Sequence, residues 1–303
     1  MKFHIILFFV VFSLFLLFYP GDSQPLHTFA YNRRLFTTQA PPVPISLDPI
    51  PVATGSALPV ITAESAYLTD RKTLSPIYSL NEKVRMFPAS TTKLITALVA
   101  FDLYKPDEVV EIHKTIADGQ VMGLVVGEKI TFENLLYGLL VYSGNDAAFA
   151  LANEKGYDQF IQKMNEKAQA LHMNNSHFVN PHGLHNPEQY TTAYDLTLAA
   201  RAVLDNPYLA KIGSTKEITI SDVDFKYFHR LANVNQLLGV IPGIGGLKTG
   251  YTEEAGQNLV TLYKRHDGNE IIIVVLHSLD RFTDTANLVY WNEGNIGYVS
   301  PKL

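Results

Sequence analysis

Hydrophobic residues form one long run at the N-terminus and several short periodic runs after a proline-rich stretch. The first run, Ile5 to Tyr19, has fifteen residues with one serine among them, and Pro20-Gly21 ends it. This length is typical of the hydrophobic region of a signal peptide and slightly short for a membrane-spanning helix. We therefore expect residues 1–23 to be a signal peptide cleaved before Gln24, or else an uncleaved membrane anchor. In either case the rest of the chain leaves the cytoplasm.

The proline-rich stretch separates this run from the rest of the chain. Eight of the sixteen prolines lie between Pro20 and Pro59, and little apolar periodicity accompanies them. Proline-rich segments of this kind are extended, semi-rigid spacers. We predict a linker over residues 24–57 and one compact domain over residues 58–303.

The apolar pattern of the compact domain predicts both strands and helices. Residues 65–68 and 76–80 alternate as two short strands joined by a charged turn. The segment 94–101 is apolar nearly all round, which favours a buried central helix with Ser90 in its first turn. Two more strands are predicted over 259–263 and 271–276, and the second is fully apolar, as a central strand is. We expect all four strands in one antiparallel sheet.

Three further helices follow from caps and spacing. Thr131 can cap a helix that carries four leucines and stops at Tyr142. Asp146 opens the next helix, so Ser143-Gly144-Asn145 is predicted to be a tight loop between helices. The last is an amphipathic helix over 160–171.

Three short motifs occur in one order along the chain: Ser90-Thr91-Thr92-Lys93, then Ser143-Gly144-Asn145, then Lys248-Thr249-Gly250. Each alone is common, and a second Ser-x-Asn occurs at Ser79. Together, in this order, they follow the signature of serine acyl-transfer enzymes, except that the signature lists aspartate where Gly144 stands.

The chemistry of acyl transfer suggests a role for each residue of the first two motifs. A serine hydroxyl is a poor nucleophile until a nearby base takes its proton, so we predict Ser90 as nucleophile and Lys93 as general base. Lys93 can act only when neutral, and burial together with the charge of Lys248 would lower its pKa. We expect Ser143 to relay a proton to the leaving group and Asn145 to bind the substrate backbone.

The third motif offers groups that bind a substrate. Lys248 and Thr249 supply a cation and a hydroxyl for a terminal carboxylate, and Gly250 lets an extended substrate lie flat against the sheet edge. The backbone N–H groups of Ser90 and Tyr251 are predicted to form an oxyanion hole, which typically contributes a few kcal/mol.

Between residues 60 and 292 the chain resembles the serine D-Ala-D-Ala carboxypeptidases, which are low-molecular-mass penicillin-binding proteins. The resemblance implies an α+β (α/β) fold of the β-lactamase/transpeptidase type, with an antiparallel sheet flanked by helices and an all-helical subdomain. It also implies removal of the terminal D-Ala from peptidoglycan stem pentapeptides through a Ser90 acyl-enzyme, and covalent inhibition by β-lactams. The matching stretches are Phe87–Lys93, Met122–Leu124, Gly127–Glu128, Leu136–Leu140, Ser143–Ala148, Asn180–Leu184, Thr191–Ala193 and Gly246–Thr252.

Three other functions stay open beside this one. A D,D-endopeptidase would use the same site with a cleft that admits two peptide strands. A β-lactamase would need a deacylating base, but no Glu-x-x-x-Asn loop of the class A kind lies between the second and third motifs. A non-catalytic peptidoglycan-binding protein would have no need of Ser90 and both lysines. Unlike many relatives, the chain is expected to have no C-terminal stalk domain, so any membrane contact falls to its N-terminal segment.

Composition narrows the partners and cofactors. The net charge of −5 offers no basic field for nucleic acid, and the absence of cysteine excludes disulfides and thiolate metal sites. Four histidines, His172, His177, His182 and His185, lie close together in sequence, but their spacing is not that of a zinc motif. We expect no metal or other cofactor and a structural role for His182.

Overall fold

The computed structural model describes residues 2–18 and 48–301, which belong to two separate units. In the first unit, residues Lys2–Phe18 form helix α1. Within the described residues, no helix combines the length and hydropathy that crossing a membrane requires. The expected cleavage position before Gln24 and most of the expected linker lie outside the described residues. The signal peptide or anchor, and the domain boundaries, stay predictions.

The second unit is built on a five-stranded antiparallel sheet with the strand order β3-β2-β10-β9-β8. The two early strands pair with the late ones, as the sequence predicts. The apolar strand β10 lies at the centre, and β8 forms an edge. The strands are β2 (Ser65–Asp70), β3 (Pro76–Leu80), β8 (Ile244–Thr252), β9 (Gly256–Lys264) and β10 (Glu270–Ser278).

Three two-stranded ribbons accompany the main sheet. The first joins β1, which falls within the expected linker, to β11 near the end of the described chain. Residues 50–53 are therefore part of the second unit. The ribbons are β1 (Ile50–Ala53) with β11 (Ile296–Val299), β4 (Val109–Glu111) with β5 (Lys129–Thr131), and β6 (Glu217–Ser221) with β7 (Phe228–Ala232).

The helices of the second unit surround one buried helix. Every residue of α2 from Lys93 to Ala100 is buried, which confirms the predicted central helix. Thr131 caps α3, its hydroxyl accepting a hydrogen bond from the N–H of Asn134 at 3.3 Å, as predicted. The helices are α2 (Lys93–Leu103), α3 (Phe132–Leu140), α4 (Asn145–Glu154), α5 (Tyr157–Ala170), α6 (Ala193–Asp205), α7 (Pro207–Gly213) and α8 (Arg281–Asn295).

Two hydrophobic cores lie on opposite faces of the sheet, and β10 contributes to both. Side chains alternate across a strand, so Ile271, Ile273 and Val275 pack with α8 on one face. Ile272, Val274 and Leu276 belong to the larger core, to which α2 to α7 contribute. This arrangement of a sheet between helices, with a cluster of helices to one side, is the predicted α+β fold.

Candidate active site

The predicted nucleophile lies in a single turn of 3₁₀-helix, Ala89–Thr92, that runs directly into α2. The sequence placed Ser90 in the α-helix itself. The difference matters because a 3₁₀ turn has about three residues per turn, so side chains three positions apart lie above one another. In an α-helix the same two side chains would be about 60° apart. Here the Oγ of Ser90 is 2.8 Å from the Nζ of Lys93.

The turn is strained and is held from two sides. Ala89 has a φ of 47°, in the left-handed region that non-glycine residues seldom adopt. From the sheet, the Nδ2 of Asn258 donates to the carbonyls of Phe87 and Pro88 at 2.9 and 3.1 Å. Gly183 also packs against the turn, so closely that a Cβ at this position would lie 1.9 Å from the carbonyl oxygen of Ala89.

The side chain of Lys93 is fully buried and meets three partners. Besides Ser90, its Nζ lies 2.7 Å from the Oδ1 of Asn145 and 2.6 Å from the carbonyl oxygen of His182. Both oxygens are acceptors, because the Nδ2 of Asn145 is already donating to the carbonyl of Asp118 at 2.8 Å. A neutral amine can donate one N–H to each of them and keep its lone pair for the hydroxyl of Ser90.

The surroundings of Lys93 favour this neutral form. Burial lowers its pKa well below the ordinary value, and the charge of Lys248 lowers the pKa further, while Asp146 opposes both effects. Lys248 is thus the second cation that the sequence predicts. Burial, and secondarily Lys93 when it is protonated, lowers the pKa of His182 to about 3, so this buried ring is neutral.

The second motif forms the tight loop between α3 and α4 that the sequence predicts. Ser143 is 4% exposed with a φ of 67°, and the N–H of Gly144 donates back to the carbonyl of Gly138 at 2.8 Å. Asn145 is the first residue of α4. Ser143 and Asn145 line the same cleft as Ser90.

The third motif lies in β8, whose outer edge has no partner strand among the described residues. Such an edge can pair with an extended peptide. Gly250 lies against the nucleophile turn, and a Cβ there would be 3.0 Å from the nitrogen of Ser90. Tyr251 follows it and is 60% exposed at the cleft. The predicted oxyanion hole has its two residues beside one cleft, and its function stays a prediction.

Lys248 lies beneath the cleft rather than on its wall. Its side chain is buried, and its Nζ donates to the carbonyl of Thr249 at 3.0 Å. Burial, and secondarily the charge of Arg281, lowers the pKa of Lys248 to about 7. Among the described residues lining the cleft, Arg281 supplies the cationic side chain.

Arg281 is not among the residues predicted from the sequence. It opens α8, and its Nη1 donates to the carbonyl of Gly250 at 2.8 Å. Its buried Nε has no hydrogen-bond partner among the described residues. The chain carries no local signal for this contact, since 31 residues separate Arg281 from Gly250.

The loop 118–125 is a second feature that the sequence did not assign, and it forms one wall of the cleft. The carbonyl of Gln120 accepts from the N–H of Asn145 at 2.7 Å. The carboxylate of Asp146 accepts from three successive N–H groups of the loop, at 2.8 to 3.0 Å. Those N–H groups belong to Met122, Gly123 and Leu124.

The cleft brings most of the predicted site residues together. It has a volume of about 250 Å³ and contains residues from all three motifs. Lys93 and Lys248 lie behind it. The lining residues are Ser90, Gly119, Gln120, Ser143, Asn145, Gly183, Leu184, Val234, Thr249, Gly250, Tyr251, Thr252 and Arg281.

The histidines of the sequence do not form a metal centre within the described residues. Across 2–18 and 48–301, no group of three or more His, Cys, Asp or Glu side chains is arranged to hold a metal ion. His182 instead accepts the Lys93 hydrogen bond through its backbone, and its Nδ1 accepts from the N–H of Leu184 at 3.2 Å. His185 contacts the ring of Phe87 edge to face.

Comparisons with known proteins identify the family of the chain. A sequence profile described as D-alanyl-D-alanine carboxypeptidase matches residues 52–279, well over half of the chain. The chain belongs to this family. The crystal structure of a D-alanyl-D-alanine carboxypeptidase from Mycobacterium tuberculosis H37Rv superposes with a TM-score of 0.75 at 30% identity. The match covers 84% of this chain and 98% of that one, which confirms the predicted fold.

Two relatives show how the family varies. The D-alanyl-D-alanine carboxypeptidase DacF of Bacillus subtilis is 33% identical over 221 residues, covering 70% of this chain and 57% of DacF. This chain thus spans little more than half of that relative's length. The D-alanyl-D-alanine endopeptidase of Pseudomonas aeruginosa is 34% identical over 270 residues, 86% of each chain.

We predict that Gly119→Ala slows the acylation of Ser90 by disturbing Asn145. Gly119 has a φ of +70°, and a Cβ there would lie 2.6 Å from the Nδ2 of Asn145. Displacing Asn145 removes an acceptor from Lys93, and a misplacement of this kind costs about 100-fold in rate. The measurement is the rate at which a fluorescent penicillin labels Ser90.

Gly123→Ala is the matched control in the same loop. Its φ is +90°, but nothing lies within 4 Å of a Cβ there. Both variants therefore lose about 1–2 kcal/mol of stability to left-handed strain. Equal labelling rates for the two variants would contradict the role given to Asn145.

Proposed function

We propose that this protein is a serine D,D-carboxypeptidase that removes the terminal D-Ala from peptidoglycan stem pentapeptides and is acylated by β-lactams. The observation that carries the proposal is the contact between the Oγ of Ser90 and the Nζ of Lys93 at 2.8 Å. The other two partners of Lys93 are acceptors, so the amine lone pair is left for Ser90. Membership of the D-alanyl-D-alanine carboxypeptidase family supplies the substrate class.

The first step forms the acyl-enzyme. Lys93 takes the proton of Ser90 as the Oγ bonds to the carbonyl carbon of the penultimate D-Ala. The electron pair of the carbonyl moves to its oxygen, which the N–H groups of Ser90 and Tyr251 stabilise. The C–N bond then breaks, and the leaving nitrogen takes a proton from Ser143, which regains one from the Lys93 ammonium. Free D-Ala departs, and the substrate stays esterified to Ser90.

The second step releases the shortened peptide. A water molecule gives a proton to Lys93 and attacks the ester carbonyl, and Ser90 leaves with the proton returned from Lys93. Tyr251 and Ser90 again stabilise the oxyanion.

The carboxylate of the terminal D-Ala needs a cation near β8. Thr249 and Arg281 line the cleft and can bind it directly, whereas Lys248 lies behind them and adds to the positive potential. A guanidinium that already donates to the carbonyl of Gly250 is fixed in orientation, which suits bidentate binding of a carboxylate.

A D,D-endopeptidase is the second candidate. The endopeptidase of Pseudomonas aeruginosa is 34% identical to this chain, but the carboxypeptidase structure from Mycobacterium tuberculosis is covered just as fully, so the carboxypeptidase stays the first candidate. A β-lactamase is less well supported. Glu166, one of the glutamates between the second and third motifs, lies on α5 and accepts from the Nε2 of Gln162 rather than lining the cleft.

We expect intact-mass and product analysis of the purified full chain to show both reactions. Benzylpenicillin should leave a lasting adduct of one penicillin, and diacetyl-Lys-D-Ala-D-Ala should release free D-Ala. Ser90→Ala removes the nucleophile and should abolish both results. Ser79→Ala, in the other Ser-x-Asn triplet and exposed on β3, should leave both unchanged.

Each other function predicts a different result. Rapid penicillin turnover without a lasting adduct would indicate a β-lactamase, and no adduct with no D-Ala release would indicate a binding protein. Release of product from cross-linked dimeric peptides, but not from the monomeric peptide, would indicate an endopeptidase.

We also propose that the protein acts outside the cytoplasm, where peptidoglycan lies. The support is the fifteen-residue hydrophobic run from Ile5 to Tyr19 and the substrate class. N-terminal sequencing of the protein from fractionated cells should find a start at Gln24 in a soluble extracytoplasmic fraction, or the intact N-terminus in the membrane fraction. An intact chain in the cytoplasmic fraction would contradict export.

A further inference from the structure

A buried histidine–carboxylate pair lies behind the loop 118–125 and takes no part in the proposed chemistry. His229 on β7 and Glu128 before β5 have side chains that are 6% and 0% exposed. The Nε2 of His229 lies 2.8 Å from the Oε1 of Glu128, and its Nδ1 lies 3.1 Å from the carbonyl oxygen of Met122. Both ring nitrogens therefore face oxygen atoms.

The partners decide the protonation state of the ring. The carbonyl of Met122 can only accept, and the Oε2 of Glu128 accepts from the N–H of Val125 at 3.0 Å. A neutral imidazole has one N–H, so opposite an ionised Glu128 both contacts of His229 are hydrogen bonds only when the ring is an imidazolium. The hydrogen bond to Glu128 raises the pKa of His229 above its ordinary value, although burial acts in the opposite direction.

The charged groups around the ring all favour the cation. Glu128, three residues after the loop 118–125, and Asp146 of α4 both raise the pKa of His229. On the neighbouring strand β6, the residue opposite His229 is Ile220, which carries no charge. Asp222, also buried on this ribbon, directs its Oδ1 to two N–H groups of its own turn.

Met122 connects this pair to the site. Its N–H donates to Asp146, and its sulfur occupies the space left by Gly138 in α3, where a Cβ would lie 2.3 Å away. Its carbonyl is held by His229. The same loop holds Asn145 through the carbonyls of Asp118 and Gln120.

We propose that His229, as an imidazolium paired with Glu128, is a positioning residue for the contact between Asn145 and Lys93. It acts by fixing Met122 and with it the loop 118–125. The inference rests on the proposed function, because it assigns the pair a role in the acylation of Ser90. His229 touches neither substrate nor reacting atoms.

The charged pair makes this support depend on pH. A group whose pKa is raised by folding stabilises the fold at pH values below its unfolded pKa, about 6.5 for histidine. The stabilisation is lost as the pH rises through the higher pKa of the folded state. Above that point His229 keeps one N–H, one of its two hydrogen bonds is lost, and the loop loosens.

Glu128→Gln separates the hydrogen bonds from the charge. The amide N–H can donate to the Nε2 of a neutral ring, whose Nδ1–H still donates to Met122. The amide oxygen still accepts from the N–H of Val125. This variant therefore keeps the hydrogen bonds of the loop at alkaline pH, where the wild type loses one.

The experiment compares wild type, Glu128→Gln and His229→Ala from pH 6 to pH 9 by the rate of Ser90 labelling with a fluorescent penicillin. We expect His229→Ala to label about tenfold more slowly than wild type at pH 6. The labelling rate of Glu128→Gln divided by that of the wild type should rise with pH. The titration of Lys248 and Lys93 affects both proteins alike and cancels in this ratio. A ratio that stays constant, or a His229→Ala variant that labels as fast as wild type, would overturn the proposal.

A second readout does not depend on activity. Amide hydrogen exchange becomes faster with pH in any protein. At the N–H groups of 122–124 of the wild type we expect a larger increase than this intrinsic one, and in Glu128→Gln a smaller increase than in the wild type. NMR of labelled histidine should show both ring nitrogens of His229 protonated at pH 6.

If penicillin labels none of the three proteins, the proposed function fails, and hydrogen exchange still decides whether His229 holds the loop. If His229→Ala does not fold, the comparison of Glu128→Gln with the wild type is the remaining test. Identical hydrogen exchange of the 122–124 N–H groups in these two proteins at every pH would refute the proposal.

Discussion

The burial of Lys93 is the constraint on which the rest of this site depends. An ammonium group in a fully buried position is costly, and the nearby charge of Lys248 adds to that cost. The structure relieves it by allowing the amine to be neutral, with two acceptors in place for its N–H groups. The remaining lone pair then faces the hydroxyl of Ser90. In the proposed mechanism, burial thus makes Lys93 a base for one atom, the Oγ of Ser90.

Several locally unfavourable features of the backbone support the contacts of Lys93 with Ser90 and Asn145. The strained backbone at Ala89 accompanies a 3₁₀ turn that brings Ser90 over Lys93, and Asn258 and Gly183 hold that turn in place. The loop 118–125 fixes Asn145 through its carbonyls and is itself fixed by Asp146. Strain of this kind persists where the surrounding structure determines the conformation from several sides.

The sequence predicted those parts of the protein that depend on local pattern. The apolar run of β10, the all-round apolar helix α2 and the cap at Thr131 each reflect the environment of a single element. The residues of the three motifs were singled out because their chemistry is specific; the structure brings most of them to one cleft, and their roles stay predictions. The loop 118–125, Arg281 and the His229–Glu128 pair were not, since each acts through contacts between segments far apart in the chain. The 3₁₀ turn at Ser90 was missed because its hydrogen bonding differs from that of an α-helix by a single residue.

Direct titration of Lys93 tests whether Lys93 is the neutral base of Ser90. NMR of protein with labelled lysine side chains, with the Lys93 signal assigned by Lys93→Arg, follows its protonation from pH 5 to pH 11. We expect the pKa of Lys93 to lie well below about 10.4, the pKa of a free lysine side chain. The rate of Ser90 acylation should rise with pH through the same midpoint. If Lys93 stays protonated up to the ordinary lysine range while Ser90 is still acylated at neutral pH, Lys93 is not the neutral base.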